Sequence, residues 1–256
     1  MSERAGPTDH VSTVDTAFDI LELLREMNGA TLRELTDEVD LVRSTVHRHL
    51  TTLHDRGYVT RSDGEYSLSL RFLDVGQWTQ SRKETYVLAK SKVEELAERT
   101  SERAQFVVEE NGRAVYVHME AGEHAVKTNM HVGKHTPVHA SAGGLAILSQ
   151  LDRERVEEII ASRGLERLTP HTYTDPDDLF DALESIRERG FSINDQGHIE
   201  GLRAVGVPVS GPDGSVVGAL SVSGPTNRIR GDRLENDLPD LLLGSSNELE
   251  LNSAYR

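Results

Sequence analysis

Between residues 42 and 56, Val46, Leu50 and Leu53 recur at helical spacing. A turn of about 100° per residue then sets Ser44, Arg48, Thr51 and Thr52 on the opposite, solvent-facing side. Arginine matches the two acceptors of guanine, and short hydroxyls reach phosphates or base edges, so this face has the chemistry to read DNA. Thr45 and His47 belong to the same helix, while Arg43 near its start and Arg61 in the hairpin that follows are placed for backbone contacts. From Arg43 to Arg61 there are four arginines and one acid, Asp55, although the whole chain carries 28 basic against 43 acidic residues and a net charge of -15. An exposed helix dressed with ordinary polar residues would explain any one of these side chains, but not the helix and hairpin together.

A second set of residues suits a small ligand. Ser221 and Ser223 lie two apart in a strand pattern, which points both hydroxyls to the face expected to carry Val217 and Ala219. The small residues from Ala140 to Gly144 open a helix and leave its first backbone amides approachable by an oxygen anion. The alternative is that the small side chains merely permit close packing and the serines face water. Three histidines, His131, His135 and His139, recur every fourth residue, but Gly133 and Pro137 oppose a helix there and a strand would spread them too far for one ion. No metal site is expected. With no cysteine, disulfides, thiolate catalysis and cysteine zinc sites are excluded. No Gly-x-Ser-x-Gly elbow, phosphate-binding glycine loop, dinucleotide fingerprint or His-Glu-x-x-His occurs, so no catalytic residue and no cofactor are expected. A small hydrolase-like α/β enzyme with an accessory DNA-binding module is the alternative.

The elements that must position these residues read as follows. Val14, Ala17, Leu21 and Leu24 follow Ser12, a good N-cap, in a helix that stops at Gly29. Thr31 with Glu34 forms a capping box before Leu32, Leu35 and Val39. After the third helix, two short strands flank Asp63-Gly64. Three helices and a hairpin spell a winged helix. A connecting helix is expected from about Leu70 to Glu84, and an amphipathic helix from Thr85 to Ser101. Strands are then expected at 105–109 and 114–119 around Asn111-Gly112, with 125–132 continuing the sheet. Helices follow at 141–150, 152–162 and 175–189, strands at 203–209 and 216–223, and a last helix begins near Gly231 or Asp232. The fold class is α+β: a winged helix-turn-helix over 1–76, a linker helix over 77–84 and an effector-binding domain with a largely antiparallel sheet over 85–256.

Met1–His10 is polar and no apolar run approaches the ~18 residues of a membrane span, so a cytoplasmic protein is expected. The lysines are only Lys83, Lys90, Lys92, Lys127 and Lys134, while acids are spread over the whole chain. Dispersed acid and scarce lysine suit concentrated salt, where screening weakens self-repulsion, and suggest a halophilic archaeal source.

The stretch LVRSTVHRHL at 41–50, residues 53–58 and YSLSLRFLDVG at 66–76 resemble the DNA-binding domain of the IclR family of transcriptional regulators. Residues 112–122, 132–141 and 190–225 resemble that family's effector domain, in order and at similar spacing. The resemblance implies a GAF-like effector domain that binds an organic acid, aromatic acid or sugar derivative, and homodimers or homotetramers on partly palindromic double-stranded operator DNA. Its pocket falls on Ala142, Gly143, Asn194, Ala204, Ser221 and Ser223. The chain departs from the family at Ala204, where many members have cysteine, and at Asn194-Asp195, where some have an acid at the first position.

Overall fold

The computed structural model describes residues 10–254; most of the polar Met1–His10 stretch lies outside them. Two compact units divide between Thr79 and Gln80.

In the first unit, α1 (Ser12–Glu26), α2 (Leu32–Glu38) and α3 (Arg43–Asp55) enclose a core of Ile20, Leu24, Leu35, Val46, Leu50, Val59 and Tyr66. The capping box forms: Thr31 accepts from the Glu34 amide, and the Glu34 carboxylate accepts from the Thr31 amide at 2.8 Å. The hairpin of β2 (Val59–Ser62) and β3 (Glu65–Leu68) turns at Asp63 and Gly64 with φ of 51° and 88°, the two positive angles that an Asp-Gly turn supplies. Sequence reasoning missed a third strand, β1 (Ala30–Thr31), whose two residues are too few for any periodicity and which pairs Ala30 with Tyr66. Two expectations for α1 are corrected. Ser12 is the first helical residue and Val11 the cap, without a side-chain bond; Val14 is exposed because the first turn overhangs the core, which Ile20 and Leu24 fill instead.

The expected linker at 77–84 falls where α4 (Arg71–Ser81) ends and α5 (Glu84–Thr100) begins, with Lys83 extended between them. The second unit is built on one six-stranded sheet in the order β6-β5-β4-β9-β8-β7, every pair antiparallel. Its strands are β4 (Arg103–Glu110), β5 (Arg113–Ala121), β6 (His135–Pro137), β7 (Ser192–Asp195), β8 (Leu202–Ser210) and β9 (Val216–Pro225). α5 and α9 (Leu238–Ala254) pack on one face through Leu96, Phe106, Leu220, Val222 and Leu242. α6 (Ala142–Leu148), α7 (Arg153–Arg163) and α8 (Pro176–Arg189) cover the other through Val107, Ala219, Leu145, Ile159 and Leu179.

Three strand expectations change. Residues 125–132 form no strand. Their alternation is real, since Val126, Thr128 and Met130 line a cavity, but the segment crosses that cavity as an extended strap without a ladder. It is fastened by Gly133 donating to the Tyr116 carbonyl and by Arg103 donating to the Val126 carbonyl at 2.8 Å. The sequence expectations contain neither β6 nor β7; both are short edge strands of mixed polarity. Val217 does not share the face of Ala219: the register skips from Val209↔Gly218 to Ser210↔Val216, and the bulged Val217 packs into the opposite core.

Candidate nucleic-acid interface and ligand cavity

In the first unit, Arg43, Ser44, His47 and Arg48 from α3 and Arg61 from β2 line one groove with Thr31, Leu32, Arg33, Gly64 and Tyr66. β1 brings the start of α2 against the hairpin and so closes the groove on that side. The Arg61 guanidinium lies 5.2 Å above the buried Tyr66 ring, an arrangement that holds a cation at the rim of the groove. Thr45, Thr51 and Thr52 fall outside the groove. The Thr51 hydroxyl donates to the His47 carbonyl at 2.9 Å and the Thr52 hydroxyl to the Arg48 carbonyl at 3.0 Å, so their hydrogens are spent on the helix and only lone pairs face outward. Arg33 and Tyr66 were missed. The capping box at Thr31 was the signal for Arg33, since it fixes where α2 starts.

In the second unit, the structure brings Ala142, Gly143, Asn194, Ala204, Ser221 and Ser223 around a single cavity of about 50 Å³ between the sheet, the start of α6 and the strap. Close backbone approach makes this possible. A Cβ on Gly206 would lie 2.7 Å from the Ala142 carbonyl, so only glycine lets α6 begin directly on β8. Ser192 donates to the Ala142 carbonyl at 2.7 Å and Asn194 to the Ala140 carbonyl at 2.9 Å, and the Ser141 hydroxyl caps the Gly144 amide at 3.1 Å. The amides of Ala142 and Gly143 have no intrahelical acceptor. Sequence reasoning missed Arg103, Gln105, Thr128, His198 and Arg203, which also line the cavity. For Gln105 no local signal was available: it reaches the cavity because β4 and β9 pair it with Ser221.

The electrostatics of the cavity run against those of the chain. Among the described residues that line it there is no Asp or Glu, in a protein with 43 of them, while Arg103, Arg203 and His198 are present. Asp195, next to the lining Asn194, is exposed and paired to Arg203 at 2.8 Å and 3.0 Å, which holds its carboxyl below the usual range. Of the three widely spaced histidines, His139 is buried with its ring against the Glu166 carbonyl and His135 is exposed; among the described residues no group of three or more histidine or carboxylate side chains is placed to hold an ion.

Burial pushes His118, His139 and His198 below the ordinary 6.5. The His118 Nε2–H donates to the Tyr86 carbonyl at 2.6 Å and its Nδ1 accepts from Gln80, which fixes the neutral ring. Below 6.5 the unfolded chain therefore binds protons that the folded chain does not. Stability is full above that value and falls as pH drops through the lower folded values. The urea midpoint is expected to decline between about pH 7 and about pH 5, and His118→Gln to flatten part of the decline. A midpoint constant over that window would reject the buried neutral histidines.

No helix among the described residues is long and apolar enough to cross a membrane. Residues 13–63 match the IclR helix-turn-helix domain and residues 79–249 the bacterial transcriptional regulator IclR C-terminal domain. The "Probable HTH-type transcriptional regulator ArcR" of Halobacterium salinarum is 33% identical over 96% of this chain and 95% of its own. The crystal structure of Thermotoga maritima IclR superposes with a TM-score of 0.82 at 23% identity, covering 96% of this chain and 100% of that one. The inducer-binding domain of the transcription factor PobR from Acinetobacter, solved as a double mutant with 3-hydroxybenzoic acid, is 32% identical over 64% of this chain and 95% of its own, with a TM-score of 0.59. A family model that spans the second unit almost end to end, a second model on the three helices and hairpin, and a relative matched over nearly its whole length agree: the chain belongs to the IclR family of transcriptional regulators.

Proposed function

We propose that this protein is a cytoplasmic regulator that binds operator DNA through the α3–hairpin groove and is controlled by a small organic acid in the cavity of the second unit. The observation that carries the reading is a pair of carboxylate-free sites in an acidic chain: the arginine-lined groove and a cavity with Arg103 in its wall and no acid. The PobR domain with its hydroxybenzoic acid supports the ligand class. The cavity as it stands favours a few-atom acid, because about 50 Å³ admits little more than a handful of water-sized groups.

Arg43 and Arg61 are assigned to phosphates and Arg48 to a guanine edge, with Ser44 and His47 beside it and Thr45, Thr51 and Thr52 in supporting contacts as acceptors. Arg48→Ala is expected to weaken specific operator binding by about 1 to 3 kcal/mol and to leave binding to random DNA nearly unchanged. A gel shift with both DNAs measures this, and equal loss on both would reassign Arg48 to phosphate contact. Leu73 and Val75 on α4 and Val14 and Phe18 on α1 are exposed apolar side chains. Such apolar faces fit a homodimer. A footprint on the same operator is expected to cover two symmetric half-sites, and a single half-site would refute the dimer. Dispersed acid, five lysines and a relative from Halobacterium salinarum support adaptation to high salt. Operator binding should accordingly persist when the gel shift is repeated in molar potassium chloride; loss as steep as for a protein neutralising many phosphates would rule this out.

A further inference from the structure

The cavity wall contains a hydrogen-bond chain of three side chains with Gln105 at its centre. β4 and β9 pair Gln105 with Ser221 and Arg103 with Ser223, so these residues rise beside one another on neighbouring strands. The Ser221 hydroxyl donates to Gln105 Oε1 at 2.8 Å, and Gln105 Nε2 donates to Ser223 Oγ at 2.8 Å. Gln105 and Ser221 are 5% and 4% exposed, and all three residues line the cavity. A carboxamide has one accepting end and one donating end. Between two hydroxyls it takes the hydrogen of one serine and gives a hydrogen to the other, and turning the amide over only exchanges the serines. One hydroxyl hydrogen is therefore always left over; here it belongs to Ser223. On the strap, Thr128 Oγ1 is buried without a hydrogen-bond partner and lines the same cavity.

We infer that Gln105 determines ligand specificity in this cavity by committing one serine hydrogen and freeing the other, so that Ser223 and Thr128 present O–H donors to the two oxygens of a carboxylate, where an amide offers one oxygen and an NH2 that no donor can serve. The inference rests on the cavity being a ligand site, as proposed above, and adds the residue that sets its hydrogen-bond polarity. Glutamate has nearly the same shape but no donor. In Gln105→Glu both serine hydroxyls turn to the carboxylate, Ser223 then shows only lone pairs, and an acid is rejected where a ligand N–H would be accepted.

The test is a calorimetric titration of the full-length protein with two acid–amide pairs: lactate against lactamide, and 3-hydroxybenzoate against 3-hydroxybenzamide. Wild type is expected to prefer the acid of at least one pair. Gln105→Glu buries a carboxylate and should lower the thermal midpoint, but where it folds it should lose about tenfold or more of that preference. Ser223→Ala adds no charge and keeps the sheet intact; it should lose a comparable factor, which separates hydrogen-bond polarity from simple repulsion and stands even if Gln105→Glu fails to fold. An acid-to-amide ratio within about twofold of wild type in Ser223→Ala, or in a folded Gln105→Glu, overturns the inference alone. A wild type that takes up no member of either pair overturns the reading of the cavity, and this inference with it.

Discussion

Arg228→Ala is expected to destabilise the second unit by about 3 kcal/mol, because it strands a buried carboxylate. Glu102 is 1% exposed at the start of β4 and receives two parallel bonds from Arg228, at 2.7 Å and 2.8 Å. This fork geometry is one that arginine alone among side chains provides. Arg233 stands farther off at 3.6 Å and cannot replace it. On one side the carboxylate lies directly against Gly224, where a Cβ would come within 2.5 Å of Glu102 Oε2. Arg228 also donates to the His124 carbonyl at the root of the strap, so its loss should loosen the cavity roof as well. Arg228→Lys should recover only part of the loss, since an ammonium cannot form the fork. Urea denaturation followed by circular dichroism measures the effect, and a loss under about 1 kcal/mol would show that water reaches Glu102. The double variant Glu102→Leu with Arg228→Leu should recover more than half, because an apolar pair needs no partner charge.

The parts of this fold that were legible in the sequence are those written in short-range chemistry. The Thr31 and Glu34 capping box, the Asp63-Gly64 and Asn111-Gly112 turns and the apolar stripe of α3 each need only a few neighbouring residues, and each forms as expected. What was not legible depends on partners far along the chain. The alternation of Val126, Thr128 and Met130 looks like a strand because one side of it is covered, but the covering is a cavity and no neighbouring strand supplies a ladder. Val217 fails because a bulge shifts the two-residue period, and a bulge is a property of the β8–β9 pair.

The candidate site shows the same division. The family resemblance names Asn194, Ala204, Ser221 and Ser223, and the structure gathers them, but it alone shows that Ser221 is bonded to Gln105 from a strand 116 residues away. Likewise the helical wheel of α3 gives the outward direction of Thr51 and Thr52 without revealing that both hydroxyls turn back on their own helix. Pattern gives direction; commitment of hydrogens requires the neighbours.

The last expectation concerns the contact on which the cavity is built. Gly206→Ala should cost about 3 kcal/mol and abolish acid binding, because the added methyl runs into the Ala142–Gly143 peptide. Its position is 2.7 Å from both the carbonyl carbon and oxygen of Ala142 and 2.9 Å from the Gly143 nitrogen, and none of these can rotate away as a side chain would. α6 must then lift from β8. The lift breaks the Ser192 hydroxyl from the Ala142 carbonyl at 2.7 Å, leaving it only the 3.2 Å contact to Gly206 within the sheet, and pulls Ala140 from Asn194. Gly143→Ala is the matched control on the same helix. Its methyl would meet the Val107 side chain at 3.3 Å and the Ser221 hydroxyl at 3.6 Å, a tight fit against atoms that can move, so it should fold at smaller cost while narrowing the cavity. Operator binding without ligand should survive in both, since the first unit has its own core of Ile20, Leu24, Val46 and Leu50. Urea midpoints, titration with lactate and 3-hydroxybenzoate, and gel shifts on the two variants measure the three properties separately. A Gly206→Ala protein with wild-type stability and wild-type acid binding would mean that α6 tolerates displacement from the sheet, and that the shape of the cavity does not depend on this contact.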